Sequence, residues 1–183
     1  MPDDARFEWF ADTMGVRADD RVLELGPGSG ASLVRIAKRL RGGRIVGLDR
    51  SATAIGRAAD RCAAEIADGR VRLVEGAVGP DSTHAVLAQL DGNERFDLVF
   101  AVNVNLFWTG PATPAWSMIR ECLSPTGRLW LCYGYGYGSP TSPSTSPKPT
   151  TDQLTTRLTA AGFHCDITTS GDLLAAHAVP ARP

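Results

Sequence analysis

The sequence predicts an α/β fold: a doubly wound, mostly parallel seven-stranded sheet. Three observations predict it. Short apolar runs alternate with helix-period segments along the chain, which is the order a parallel sheet with crossover helices requires. A glycine-rich turn, Gly26-Pro27-Gly28-Ser29-Gly30, joins the first apolar run to the first helical one. The last two strand-like runs are separated only by a few residues around Ser170-Gly171-Asp172, too few for a crossover, so they form an antiparallel hairpin.

The first strand is Val22-Leu23-Glu24-Leu25, ended by the glycine turn. Leu33, Ile36, Ala37 and Leu40 then recur at helical spacing, with Arg35, Lys38 and Arg39 on the opposite face, and Gly42-Gly43 stops that helix. Arg44 to Leu48 is a second strand, closed by Asp49. Ser51 has the character of an N-cap, and Ile55, Ala59, Cys62 and Ile66 are expected to form the inner stripe of the next helix. Val71 to Val74 is a third strand and Ser82 to Leu90 a further helix. Phe96 to Val102 is almost continuously apolar, as expected of a central strand buried on both faces. Ala115 to Leu123 reads as helix, Ser124-Pro125-Thr126-Gly127 as a turn, and Arg128 to Tyr133 as a fifth strand. Thr151 to Ala161 is helical, and the hairpin strands run near Phe163 to Thr169 and Leu173 to Val179.

The 183 residues fit a single domain, and about 20 precede the first strand, which leaves room for an N-terminal helical cap but not for a second domain. Residues 138–150, rich in Pro, Ser and Thr, lack any apolar period and are expected to form a mobile surface loop or a lid. Composition narrows the function. With 43% hydrophobic residues, 21% charged residues and a net charge of −1, the chain reads as an ordinary soluble protein. No run is long enough to span a bilayer and no signal peptide is evident, so a cytoplasmic protein without a membrane partner is expected. The charge balance disfavours a nucleic-acid partner, although Arg35, Lys38, Arg39, Arg41 and Arg44 form a local basic patch. Cys62, Cys122, Cys132 and Cys165 are too far apart for a zinc site and read as reduced thiols; no metal is predicted.

The chemistry concentrates at the glycine turn. Glycines there let a ligand approach the backbone, and Asp49 at the end of the neighbouring strand can accept both hydroxyls of a ribose. A dinucleotide and a sulfonium nucleoside both use such a site. Glu24 separates them: two residues before Gly26, its carboxylate would repel a pyrophosphate but suits an ammonium or sulfonium.

Four stretches then carry a resemblance. Val22 to Gly30 resembles motif I of class I S-adenosylmethionine-dependent methyltransferases, and Gly47-Leu48-Asp49-Arg50-Ser51 resembles the acidic motif that follows. Phe96-Asp97-Leu98-Val99 looks like the fourth-strand motif, and Leu123 to Leu129 like the family's proline-glycine turn into the fifth strand. The resemblance covers about residues 15–180 and implies strand order 3-2-1-4-5-7-6. It implies S-adenosylmethionine as cofactor, with Gly26, Pro27, Gly28 and Gly30 forming its cradle and Glu24 near its amino group. Asp49 would bind the ribose, Arg50 would lie beside the adenine, and Asn103 near the reacting methyl. One departure stands out: where the family often has an aspartate for the adenine amino group, this chain has Ala77, followed by Val78.

Three segments converge on the expected substrate side: Asn103 to Trp108, the Tyr133-Gly134-Tyr135-Gly136-Tyr137 repeat, and the N-terminal Arg6 to Phe10. Asn105, Phe107, Trp108, Tyr133, Tyr135 and Trp9 are therefore the substrate candidates, and their aromatic character suits a small, mostly apolar acceptor. Phe107 and Trp108 would equally suit core packing, and Phe7, Trp9 and Phe10 a helix lying over the sheet. Tyr133 is the one candidate acid/base group; His84, His164 and His177 have no motif around them and are expected at the surface. The expected activity is methyl transfer to a small molecule. The alternatives are cofactor binding without turnover and methylation of nucleic acid or protein.

Overall fold

The computed structural model describes residues 3–136 and 148–181. An N-terminal helix α1 (Asp3–Thr13) precedes β1 (Arg21–Leu25), α2 (Ala31–Ala37) and β2 (Arg44–Asp49). Next come α3 (Ala52–Arg61), α4 (Ala63–Ala67), β3 (Val71–Glu75), α5 (Pro80–Leu87) and β4 (Phe96–Val102). The chain continues through α6 (Leu106–Thr109), α7 (Thr113–Cys122), β5 (Leu123–Tyr133), α8 (Thr151–Ala160), β6 (Phe163–Ser170) and β7 (Leu173–Pro180).

The sheet order is β3-β2-β1-β4-β5-β7-β6. β7 pairs antiparallel with both β5 and β6, and every other pair is parallel. Leu25 lies opposite Leu48 in the β1–β2 register, so the turn that follows β1 emerges beside Asp49. The expected sheet, its order and its terminal hairpin are all present.

Each face of the sheet carries its own core. One face buries Leu23, Val99, Leu131 and Tyr133 against residues of α5, α7 and α8, such as Val86, Trp116, Met118 and Leu158. The other buries Val22, Leu98, Phe100 and Trp130 against Phe7, Phe10, Leu33, Ile36 and Ala58 of α1, α2 and α3. Apolar burial of this kind contributes about 25 cal/mol per Å². The N-terminal segment thus packs on the sheet through Phe7, Phe10, Ala11 and Met14. Its polar side holds the basic patch: Glu8 takes Arg35 at 3.1 Å and Arg39 at 2.7 Å, and Asp12 takes Arg39 at 2.7 Å. Arg44 is held by Asp91 at 2.9 Å.

Three local expectations change. The inner stripe of the helix after Ser51 is Ala54, Ala58 and Cys62, while Ile66 is 37% exposed. The reason is steric: a Cβ on Gly30 would meet Ala58 at 3.1 Å and Cys62 Sγ at 3.2 Å, so only small residues fit against the turn. The helix also breaks at Cys62, and α4 buries no residue. The fifth strand starts earlier than expected. Leu123 already pairs with Phe96, and the ladder resumes at Leu98–Arg128 after an irregularity that absorbs Ser124 to Gly127. Most of the Pro/Ser/Thr-rich stretch of 138–150 lies outside the described residues, as does Tyr137; within 148–150, Lys148 donates to the Asp172 carbonyl at 2.7 Å. No described helix is long and apolar enough to cross a membrane.

Candidate active site

A cavity of about 510 Å³ opens at the carboxyl ends of β1, β2, β3 and β4, the place where doubly wound sheets bind ligands. Its wall includes Gly26, Asp49, Arg50, Ala77, Val78 and Asn105. Leu48, Val104 and Leu106, which the sequence did not single out, complete the lining. Leu48 adjoins Asp49 at the strand end, and Val104 and Leu106 alternate with the asparagines after β4; that adjacency was the available signal.

The turn is built around glycine for reasons the geometry makes plain. Gly26 has φ 73° and donates to the Leu48 carbonyl at 2.8 Å, and a Cβ there would strike Val104 Cγ2 at 2.9 Å. Gly30 has φ 78° and starts α2, packed against α3 as described. Pro27 accepts from the Gly30 amide at 3.0 Å, which tightens the loop between them.

Asp49 is oriented by the same loop. Its Oδ2 accepts from the Gly28 amide at 3.1 Å and its Oδ1 from the Ser51 amide at 3.0 Å. Ser51 in turn caps α3 by accepting from the Ala54 amide at 3.2 Å. The carboxylate is thus fixed at the cavity wall, and each oxygen keeps a lone pair for another donor.

Glu24 lies behind the turn and is 1% exposed. Ser32 donates its hydroxyl to Oε1. Oε2 has no hydrogen-bond partner among the described residues. Burial pushes the Glu24 carboxyl up to about 8; the Ser32 bond works against this and the Asp49 charge adds to it. A buried, half-satisfied carboxyl is costly, and a cationic donor would relieve it.

The remaining candidates divide. Asn103 has φ 55° and exchanges two bonds with Gly134: its Nδ2 donates to the Gly134 carbonyl at 3.1 Å, and its Oδ1 accepts from the Gly134 amide at 2.9 Å. It ties the ends of β4 and β5 together, and its amide keeps one N–H and one lone pair for another partner. The Tyr135 amide donates to Asp172 Oδ2 at 2.9 Å, and the Tyr135 ring lies 5.3 Å from the Arg6 guanidinium. Trp9 meets Phe10 edge-on at 5.3 Å. Phe107 is fully buried and stacks on Trp116 at 5.0 Å. Trp108 packs half-buried against the same core.

Tyr133 does not have the geometry of an acid/base group. It is 2% exposed, its hydroxyl donates to the Val104 carbonyl at 2.9 Å, and burial pushes its pKa well above the ordinary phenol value. Its work is to hold Val104 in the cavity wall. His84 and His164 are exposed, and His177 stacks on Trp130 at 4.8 Å, away from the cavity lining.

Comparisons with known proteins identify the family. A family model described as a methyltransferase domain matches residues 23–129. The chain belongs to that family, the class I S-adenosylmethionine-dependent methyltransferases, and is an enzyme of that class. No curated protein matches the sequence. Among solved structures, a SAM-dependent methyltransferase from Aquifex aeolicus has a TM-score of 0.71 at 12% identity, covering 97% of this chain and 93% of that one. The glycopeptide N-methyltransferase MtfA complexed with sinefungin has a TM-score of 0.70 at 19% identity, covering 98% and 87%. An O-methyltransferase family protein from Burkholderia thailandensis has a TM-score of 0.70 at 17% identity; 98% of this chain is covered but only 58% of that one. These identities speak for the shared fold. The cofactor of the family is S-adenosylmethionine. The residues fit it: a buried carboxyl oxygen without a partner stands beside a glycine cradle that any Cβ at Gly26 would obstruct.

Proposed function

We propose that this methyltransferase acts on a small-molecule acceptor. The observation that carries this reading is the partly neutralised basic patch: Arg35, Arg39 and Arg44 are engaged by Glu8, Asp12 and Asp91, which leaves Lys38 and Arg41 as its cations without an ion pair among the described residues, few for a phosphate backbone. The mouth of the cavity supports it as well, since Val104 and the 39%-exposed Leu106 offer an apolar edge.

When bound, the cofactor supplies a methyl group on a sulfonium that is already a good leaving group. The chain's own residues bind and orient. Glu24 Oε2 takes the ammonium, which settles its unmet hydrogen bond. Asp49 accepts the ribose hydroxyls, and Gly26 lets the ligand lie against backbone. Ala77 and Val78 offer adenine a backbone and apolar wall in place of the carboxylate common in the family, with Arg50 beside it. Val104, Leu106 and Leu48 give the cavity an apolar lining. Alignment of acceptor and methyl supplies much of the rate in such a site, so no general base is assigned.

The test is a transfer assay with S-adenosylmethionine labelled in its methyl group. The protein is incubated with a low-mass metabolite extract in one arm and with total RNA and protein in the other. Label in low-mass product supports the reading. Label confined to macromolecules favours the alternative acceptor class, and no label in the low-mass arm contradicts the small-molecule reading.

A further inference from the structure

A second cavity, of about 300 Å³, lies between α7 and α8 and shares no residue with the first. Thr113, Trp116, Ser117 and Arg120 form one wall and Arg157 and Ala160 the other. We propose that this groove is an anion site, and that its ligand is the phosphate group of a small molecule.

The charge accounting leads there. Arg21, Arg35, Arg39, Arg44, Arg70 and Arg128 each reach a carboxylate within ion-pair distance. Arg120 and Arg157 are among the arginines that make no ion pair with a described residue, and these two line one cavity. Two guanidiniums facing a common space repel each other, and a bound anion converts that repulsion into two charge-assisted contacts. Each arginine also stands in the last turn of its helix, where carbonyl ends attract a cation. That explains one arginine per helix; it does not explain why both face the same cavity.

Arg120 is also held in advance. Its guanidinium lies 5.2 Å from the Phe163 ring, and its Nη2 rests against Gly162, where a Cβ would come within 3.1 Å. A preset guanidinium loses less rotamer freedom on binding and presents a fork that matches phosphate oxygens. The floor is Trp116, whose indole N–H donates to the Pro111 carbonyl at 2.9 Å. That bond couples the groove to the segment joining α7 to α6, and Leu106 at the start of α6 lines the cofactor cavity.

The test uses the full chain, uniformly labelled with nitrogen-15, without cofactor, so it stands apart from the methyl-transfer reading. Inorganic phosphate and, separately, acetate are titrated at constant ionic strength while the Arg120 and Arg157 Nε–H and Trp116 indole signals are followed. The expected result is a saturable shift at these three signals with phosphate at about millimolar concentration. Acetate, with half the charge, should bind about tenfold more weakly. Arg157→Gln and Arg120→Gln should each weaken phosphate binding about tenfold with the backbone spectrum otherwise unchanged. Arg157 is a helix-surface position, so that variant is expected to fold even if Arg120→Gln does not. Shifts that never saturate, or an Arg157→Gln titration identical to wild type, would overturn the site. Acetate binding as tightly as phosphate would overturn the phosphate assignment.

Discussion

Ser32 Oγ donates to Glu24 Oε1 across the turn between β1 and α2, leaving Glu24 Oε2 buried and without a partner. The pair is the electrostatic hinge of the site, because Glu24 must ionise to hold an ammonium, and burial opposes that.

Glu24 therefore makes the protein's pH behaviour specific. Its folded-state carboxyl titrates at about 8 against an ordinary value of 4.5, with burial as the first cause and Asp49 as a further one. A raised carboxyl stabilises the fold fully below about 4.5, and that stabilisation is lost as pH rises through 8. The melting temperature of the free protein should fall between pH 6 and 9, and Glu24→Gln should flatten the decline. Binding runs the other way: S-adenosylhomocysteine affinity should rise between pH 6 and 8, approaching tenfold per unit, with a proton released. Calorimetry in buffers of different ionisation heat reads that proton directly, and Glu24→Gln should abolish both the proton and the slope.

Asp49 carries the ribose prediction. Hydrogen bonds to a charged group are worth about 1.5–3 kcal/mol, so Asp49→Ala should weaken S-adenosylhomocysteine about ten- to a hundredfold. Because Asp49 also accepts from the Gly28 and Ser51 amides, the variant should melt a few degrees lower. Titration and thermal melting separate the two effects; an unchanged dissociation constant would reduce Asp49 to a loop brace.

The glycines of the turn should not respond alike. Gly28 has φ 56° and open space around it, so Gly28→Ala should cost only the left-handed strain, about 1–2 kcal/mol. Gly30→Ala adds a 3.1 Å approach to the backbone Cα of Ala58 and should cost more, about 3 kcal/mol. Urea unfolding of the two variants ranks them, and the reverse order would contradict the packing of α3 on the turn.

These results also show what a sequence makes readable. The succession of strands and helices, the hairpin and the glycine turn follow from alternation and spacing, which are local; the strand order follows only from the family resemblance. The buried face of α3 differs from the expected one because Ala58 and Cys62 pack against Gly30, more than twenty positions earlier, and because the helix breaks at Cys62, which leaves Ile66 exposed in α4. From sequence Tyr133 reads as a site candidate and Phe107 as either site or core, because aromatics near strand ends are ambiguous. Only the Val104 carbonyl and the Trp116 ring, neither predictable as partners, assign them to the core. The bonds of Asn103 to Gly134 are not legible in the sequence, because Gly134 lies 31 residues away along the chain. The basic patch could not be discounted from sequence because Glu8 and Asp12, which pair Arg35 and Arg39, sit on α1, whose packing on α2 is a tertiary fact.

Ala77 tests how the adenine wall works. If the missing carboxylate is a loss, Ala77→Asp should tighten S-adenosylhomocysteine by at most about tenfold, or about 1.5 kcal/mol. If the backbone of Ala77 and Val78 already serves the adenine, the new carboxylate is unpaired and binding weakens. Titration of both proteins decides between them.

The most direct measurement is calorimetric titration of the purified protein with S-adenosylhomocysteine and, in parallel, with NAD. The combination of Glu24, the glycine cradle and Asp49 predicts binding of the sulfur nucleoside in the micromolar range, about −7 to −8 kcal/mol, and none comparable for NAD. Comparable binding of NAD with no response to S-adenosylhomocysteine would contradict the account of this site.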